Sequence, residues 1–191
     1  MLNLTPVVRN IIIINVIVYI IQMMWQPATS FLSLYDINSG YFRPYQFLTY
    51  MFAHSPTGFL HIFFNMLTLA SIAPVLESYW GDKKFLLFYL ASGIGAGVIY
   101  AVVHLLFNSS GGAMLGASGA IYGVLMGFGL LFPNMQISML FIPMPAKYLV
   151  FVVGLLTYFM DRSGQVAHLA HFGGAFVAFL LVSYWRSQGE R

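Results

Sequence analysis

The stretch LGASGAIYG, residues 115 to 123, places one hydroxyl, Ser118, among small residues at the mouth of an apolar segment. A serine hydroxyl is a weak nucleophile until a base takes its proton, and histidine is the usual base. His171, in a second apolar segment, is the candidate for that work. Acyl transfer also needs donors aimed at the oxyanion that develops. His61 and Asn65 stand at i, i+4, share one helix face and can both donate. The backbone N–H of Ser118, at a helix start, has no intrahelical acceptor and is a third candidate donor. Asp161 is the nearest acid, and nothing places it behind the imidazole. The chemistry these residues suggest is acyl transfer by a Ser118–His171 dyad, with His61, Asn65 and the Ser118 N–H as an oxyanion hole.

Such side chains need elements to carry them, and the composition restricts what those are. Of 191 residues, 60% are hydrophobic and 7% charged, against roughly 25% charged in soluble domains. So few charges cannot cover a water-facing surface, and the chain is expected to be an integral, multi-pass membrane protein. The fold class expected is all-α, a polytopic bundle of six transmembrane helices in one domain over 1–191. A spanning helix needs about 20 apolar residues. The segments are 7–25, 59–78, 84–106, 117–132, 147–160 and 167–185. The first is read as a retained helix rather than a removable signal. The connection 26–58, with Pro27, Pro44 and Pro56, is expected to be structured and half-embedded. The piece 134–146, with Pro143 and Pro145, reads as a loop dipping into the interface. There is no cysteine, so disulfides and thiolate metal sites are excluded. A net charge of +3 without a basic patch gives no sign of nucleic-acid binding.

Cytoplasmic placement of both termini puts Arg9, Lys83, Lys84, Lys147, Arg186 and Arg191 inside and Arg43 and Arg162 outside, as the positive-inside rule favours. The second, fourth and sixth segments then all run inward. His61, Asn65, Ser118 and His171 fall at one depth near the outer face, where polar side chains are costly without a function. Gly119, Gly123 and Gly127 recur every fourth residue in the fourth segment, and Gly174 and Ala178 stand four apart in the sixth. Small residues at that spacing let membrane helices approach closely. Joining those two stripes would bring Ser118 to His171.

Other residues of the same types read differently. His54 falls in the outer connection and reads as structural. His104, near the end of the third segment, is expected to face the interface or solvent. His168 and His171 stand at i, i+3, but too few ligands surround them for a metal site, so none is assigned, and no cofactor is implied. Trp25, Trp80 and Trp185 read as interface anchors. Gly154 makes the fifth segment a candidate mobile side gate.

The residues that suggest the chemistry also resemble the rhomboid intramembrane serine proteases. GASG at 116–119 resembles that family's G-x-S-G nucleophile motif. HIFFN at 61–65 resembles its H-x-x-x-N motif, and AHFGGAFVA at 170–178 its A-H-x-x-G-x-x-x-G motif, over about residues 40–185 in all. The resemblance implies Ser118 as nucleophile, His171 as base, and His61, Asn65 and the Ser118 N–H as oxyanion hole. It further implies that Tyr122 packs on the histidine, that Gly116 helps frame the substrate carbonyl, and that Glu77 stabilises the fold. Gly119 and Gly174 support the site. Ala178 replaces the last motif glycine, and the Trp-Arg pair of many bacterial members is absent from YQFLTYMFAH. The expected activity is cleavage of transmembrane segments near the outer membrane face. Partners would be transmembrane protein substrates and membrane lipid, with oligomerisation left open. A bacterial inner membrane is the expected setting. The alternatives are a catalytically inactive relative that captures transmembrane helices, and a small transporter, which the apolar inner halves of the segments disfavour.

Overall fold

The computed structural model describes residues 3–107, 112–139, 142–160 and 165–189. Asp161, Arg162 and Arg191, which enter the readings above, lie outside them. Helices dominate: α1 (Pro6–Met24), α2 (Pro27–Leu32), α3 (Gln46–Thr49), α4 (Phe59–Trp80), α5 (Asp82–Phe107), α6 (Ser118–Leu131), α7 (Leu149–Met160) and α8 (Gln165–Ser187). Four of them are long and apolar enough to cross a membrane: α1, α4, α5 and the His168–Ser187 part of α8. α6 and α7 are shorter apolar helices, of 14 and 12 residues. The protein is a helical membrane protein.

The expected all-α class needs one amendment. Within 134–146, expected as a loop, Gln136–Met139 (β1) and Ile142–Pro145 (β2) form an antiparallel hairpin. The sheet has two strands, so both are edges, and Pro143 and Pro145 remove no inner ladder bond. The connection 26–58 folds as short helical pieces, α2, α3 and two 3-10 turns.

α6 is the centre of the bundle. Nine of its 14 residues are buried, on all sides of the helix, and a helix that is apolar all round belongs in a core. α4, α5 and α8 surround it. α1 stands further out and shows how the sequence sets its facing. Val8, Ile11, Asn15, Tyr19 and Gln22, three or four residues apart, turn inward, while Ile13, Ile14, Ile17, Ile20 and Ile21 are exposed to lipid. Asn15 and Gln22, deeper in α1 than the exposed Arg9 and Asn10, thus face protein, as a bilayer demands.

Two expectations from the sequence fail on the same ground. His104 is buried, its ring 4.4 Å from that of Tyr100. It falls on the inward stripe of α5 with Ala96, Tyr100 and Ala101. Trp185 is likewise buried rather than interfacial. It packs edge-on to Trp80 at 5.3 Å, and the Lys84 ammonium lies 4.5 Å from its ring centre.

α1 is fastened by Glu77, which is 1% exposed near the end of α4. Its carboxylate accepts from the Thr5 hydroxyl at 2.5 Å and from the backbone N–H groups of Val7 and Val8 at 2.9 and 2.8 Å. Those amides belong to the first turn of α1, where helix donors lack partners and the dipole favours an anion. Thr5, the N-cap, makes no side-chain cap of its own, so the cap comes from 70 residues away. Glu77→Gln puts an amide among these donors and should cost about 1–3 kcal/mol. A lowered melting temperature in detergent, with α1 cleaved first in limited proteolysis, is the expected outcome. An unchanged melting curve would contradict the cap.

Candidate functional site

Ser118 opens α6, and its position is set by the turn before it. Gly116 has φ +123°, a conformation that L side chains rarely adopt. A Cβ there would lie 3.0 Å from both Cε1 and Nε2 of His61 and 3.8 Å from Ser118 Oγ. The bare glycine therefore opens a space that the His61 imidazole and the Ser118 hydroxyl both border. The Gly116 N–H donates to Tyr50 O at 2.9 Å, and the buried Tyr50 hydroxyl donates to Gly93 O on α5 at 2.6 Å. Ala117, the N-cap, makes no side-chain cap for the first amides of α6, where helix donors lack intrahelical partners.

His61 and Asn65 enter from the first turns of α4. Asn65 is buried, and one amide hydrogen donates to His61 O at 2.8 Å. The amide group has a second hydrogen to offer.

His171 arrives on α8 and is 9% exposed. Its ring lies flat on that of Tyr122, with centroids 4.1 Å apart and planes 7° apart. Tyr122 follows Ser118 by four residues, so the two share one face of α6 and the imidazole covers that face. Below it the backbones meet. A Cβ on Gly174 would fall 1.8 Å from Gly119 O, where no side chain fits. The glycine stripe of α6 has a second neighbour that the spacing alone did not identify. Cβ atoms on Gly119, Gly123 and Gly127 would meet Ala96, Ser92 and Phe88 of α5 at 2.9, 2.5 and 2.7 Å. The stripe thus seats α6 against α5, while Gly174 brings α8 onto the α6 backbone.

His54 stands behind His61, its ring 5.1 Å away and edge-on. It is fully buried. Burial first, and the neighbouring His61 second, hold its pKa down at about 3. Its backbone N–H donates to Oε1 of Gln22 on α1 at 2.9 Å. Sequence reasoning passed over Gln22, Tyr50 and Thr157, whose hydroxyl meets that of Tyr122. Gln22 had a signal, its seven-residue spacing from Asn15 on one face of an apolar helix. Among the described residues no cluster of His, Cys, Asp or Glu could hold a metal ion.

A family model described as "Rhomboid domain" matches residues 41–188. "Putative rhomboid protease YdcA" of Bacillus subtilis is 30% identical over 192 residues, covering 95% of this chain and 91% of that protein. "Rhomboid protein 1, mitochondrial" of Saccharomyces cerevisiae is 33% identical over 134 residues, or 67% of this chain and 38% of the yeast protein. "Rhomboid protease GluP" of Bacillus subtilis is 32% identical over 130 residues, 65% of this chain and 24% of its own length. The chain thus matches well under half of the last two.

Two outcomes follow from this geometry. Gly174→Ala must push α8 off α6, because backbone cannot yield 1.8 Å. It should cost more than the 1–3 kcal/mol typical of overpacking and separate Tyr122 from His171, visible as a large drop in melting temperature. For His54, the folded protein resists a proton that the unfolded chain takes at about 6.5, so stability is full above that pH and is lost as pH falls towards about 3. His54→Phe should therefore lose less melting temperature than wild type between about pH 7 and about pH 4.5. An equal loss in both proteins would contradict the assignment.

Proposed function

The chain belongs to the rhomboid family, and on that premise we propose that it is an intramembrane serine endopeptidase acting on transmembrane segments of other membrane proteins. The observation that carries this reading is the stack of His171 on Tyr122, one helical turn from Ser118, whose hydroxyl borders the space at Gly116 together with His61. In that arrangement Ser118 Oγ attacks the scissile carbonyl carbon and His171 accepts the hydroxyl proton. The oxyanion settles between the His61 imidazole, the second Asn65 amide hydrogen and the Ser118 N–H. His171 returns its proton to the leaving amine, which departs with the C-terminal fragment. Water then adds to the acyl-serine, losing a proton to His171; the acyl–Oγ bond breaks, His171 passes that proton to Ser118 Oγ, and the new C-terminus leaves as the carboxylic acid, which ionises in water.

A transmembrane helix hides its carbonyls in i to i−4 bonds, so the substrate must unravel locally before attack. Segments holding Gly or Pro near their outer end meet that demand at least cost. The resemblance adds a small residue before the cut. Both termini are assigned to the cytoplasmic side on the Lys and Arg distribution. The setting proposed is a bacterial inner membrane, supported by the Bacillus subtilis relative that spans nearly the whole chain. The Glu77 cap, which ties α1 to α4, supports reading 1–191 as one domain.

The test is labelling of the detergent-purified protein by a fluorophosphonate probe. Wild type should label, and Ser118→Ala should not label at all. His171→Ala should label at least a hundredfold more slowly, as expected when a general base is removed. A folded wild type that stays unlabelled beside an active relative would favour the inactive, helix-capturing reading.

A further inference from the structure

The Tyr122 ring that lies on His171 is held at its far end as well. Its hydroxyl meets Thr157 Oγ1 of α7 at 2.5 Å. Thr157 Oγ1 also lies 3.0 Å from Val153 O and 3.1 Å from Gly154 O, the carbonyls one turn back in its own helix. A hydroxyl has one hydrogen. If Thr157 donates to its own helix, Tyr122 supplies the hydrogen between the two hydroxyls, and Thr157 Oγ1 accepts it. Gly154, one turn from Thr157, borders the ring as well: a Cβ there would sit 3.9 Å from Tyr122 Cε1. Two residues of one α7 face thus address the same ring. Phe151 and Leu155 of the same helix are 71% and 60% exposed, so α7 also has a flank that protein does not cover.

From these contacts we infer that Thr157 is a positioning residue for His171, acting through Tyr122; the inference rests on the dyad reading above. The backbone of α6 holds the Tyr122 ring at one end and Thr157 holds it at the other. The plane on which the imidazole lies is therefore fixed only while α7 is in place. An outward shift of α7 breaks the hydroxyl pair, frees the ring to rotate and loosens the imidazole over Ser118. Thr157 thereby makes the readiness of the base depend on the position of a helix with an uncovered flank. A transmembrane segment that displaces α7 meets a loosened base, and return of α7 restores it.

The experiment compares wild type with Thr157→Val, Thr157→Ser, Tyr122→Phe and the double variant Thr157→Val/Tyr122→Phe. Fluorophosphonate labelling rates are measured from about pH 5 to about pH 9, around the range in which histidine titrates, and melting temperatures in parallel. Thr157→Val keeps the shape and removes the acceptor. It should slow labelling about two- to tenfold, the worth of one hydrogen bond, and move the pH midpoint of labelling. Thr157→Ser should restore both. Tyr122→Phe should match Thr157→Val, and the double variant should be no slower than either. Labelling by Thr157→Val at the wild-type rate, with an unmoved midpoint, overturns this inference alone. Slowing that tracks a fall in melting temperature, with no midpoint shift and no rescue by serine, also overturns it, as a purely structural effect. A folded wild type that fails to label overturns the dyad reading, and this inference with it.

Discussion

The contact between Gly174 of α8 and the Gly119 carbonyl of α6 is the constraint on which the site depends. Inside a bilayer there is no hydrophobic drive to press one apolar helix on another, so close approach comes from small residues that let backbones touch. Here the touch lies one residue after Ser118 and three after His171. The hydroxyl and the imidazole are therefore carried by the two stretches of backbone that can shift least. Ala96 and Ser92 of α5 close the third side of the same crossing. On the proposed reading the crossing supplies rigidity where the chemistry needs it.

Much of this was legible in the sequence. Length and hydropathy located the six longest helices to within about two residues, because apolar runs in this chain end at Pro, Gly or charge, and left α2 and α3 inside a connection. The Gly-xxx-Gly spacing pointed to α8 and missed α5 as a second partner. A small residue says only that something comes near, and α5 proved as near as α8. His104 and Trp185 were misplaced because residue type was weighed over helical phase. Four residues from Tyr100, His104 shares the inward stripe of α5 whatever its polarity. The hairpin at 136–145 was hidden by its prolines, which argue against a strand until the sheet is known to have only edges.

The long-range polar contacts were legible least. Nothing near Glu77 in sequence marks it as the cap of a helix that starts 71 residues earlier; only the family resemblance gave it a fold-stabilising role. Thr157 carries no local signal either, since a threonine bonding back to its own helix is ordinary in an apolar segment. Such contacts join groups that share no pattern, and three dimensions are needed to find them.

The shortness of α6 has a consequence for the bilayer around it. Fourteen residues rise about 21 Å, while the hydrocarbon slab is about 30 Å deep. α6 alone is thus shorter than such a slab is deep, and irregular backbone must complete the distance. Irregular backbone at that depth is tolerated only where protein supplies its hydrogen bonds. The chain does so: Met114 exchanges two bonds of 2.8 Å with Leu34, Gly116 donates to Tyr50 O, and Tyr100 donates to Gly112 O. The turn before Ser118 therefore has partners for its backbone supplied from the 34–50 connection and from α5, without recourse to lipid.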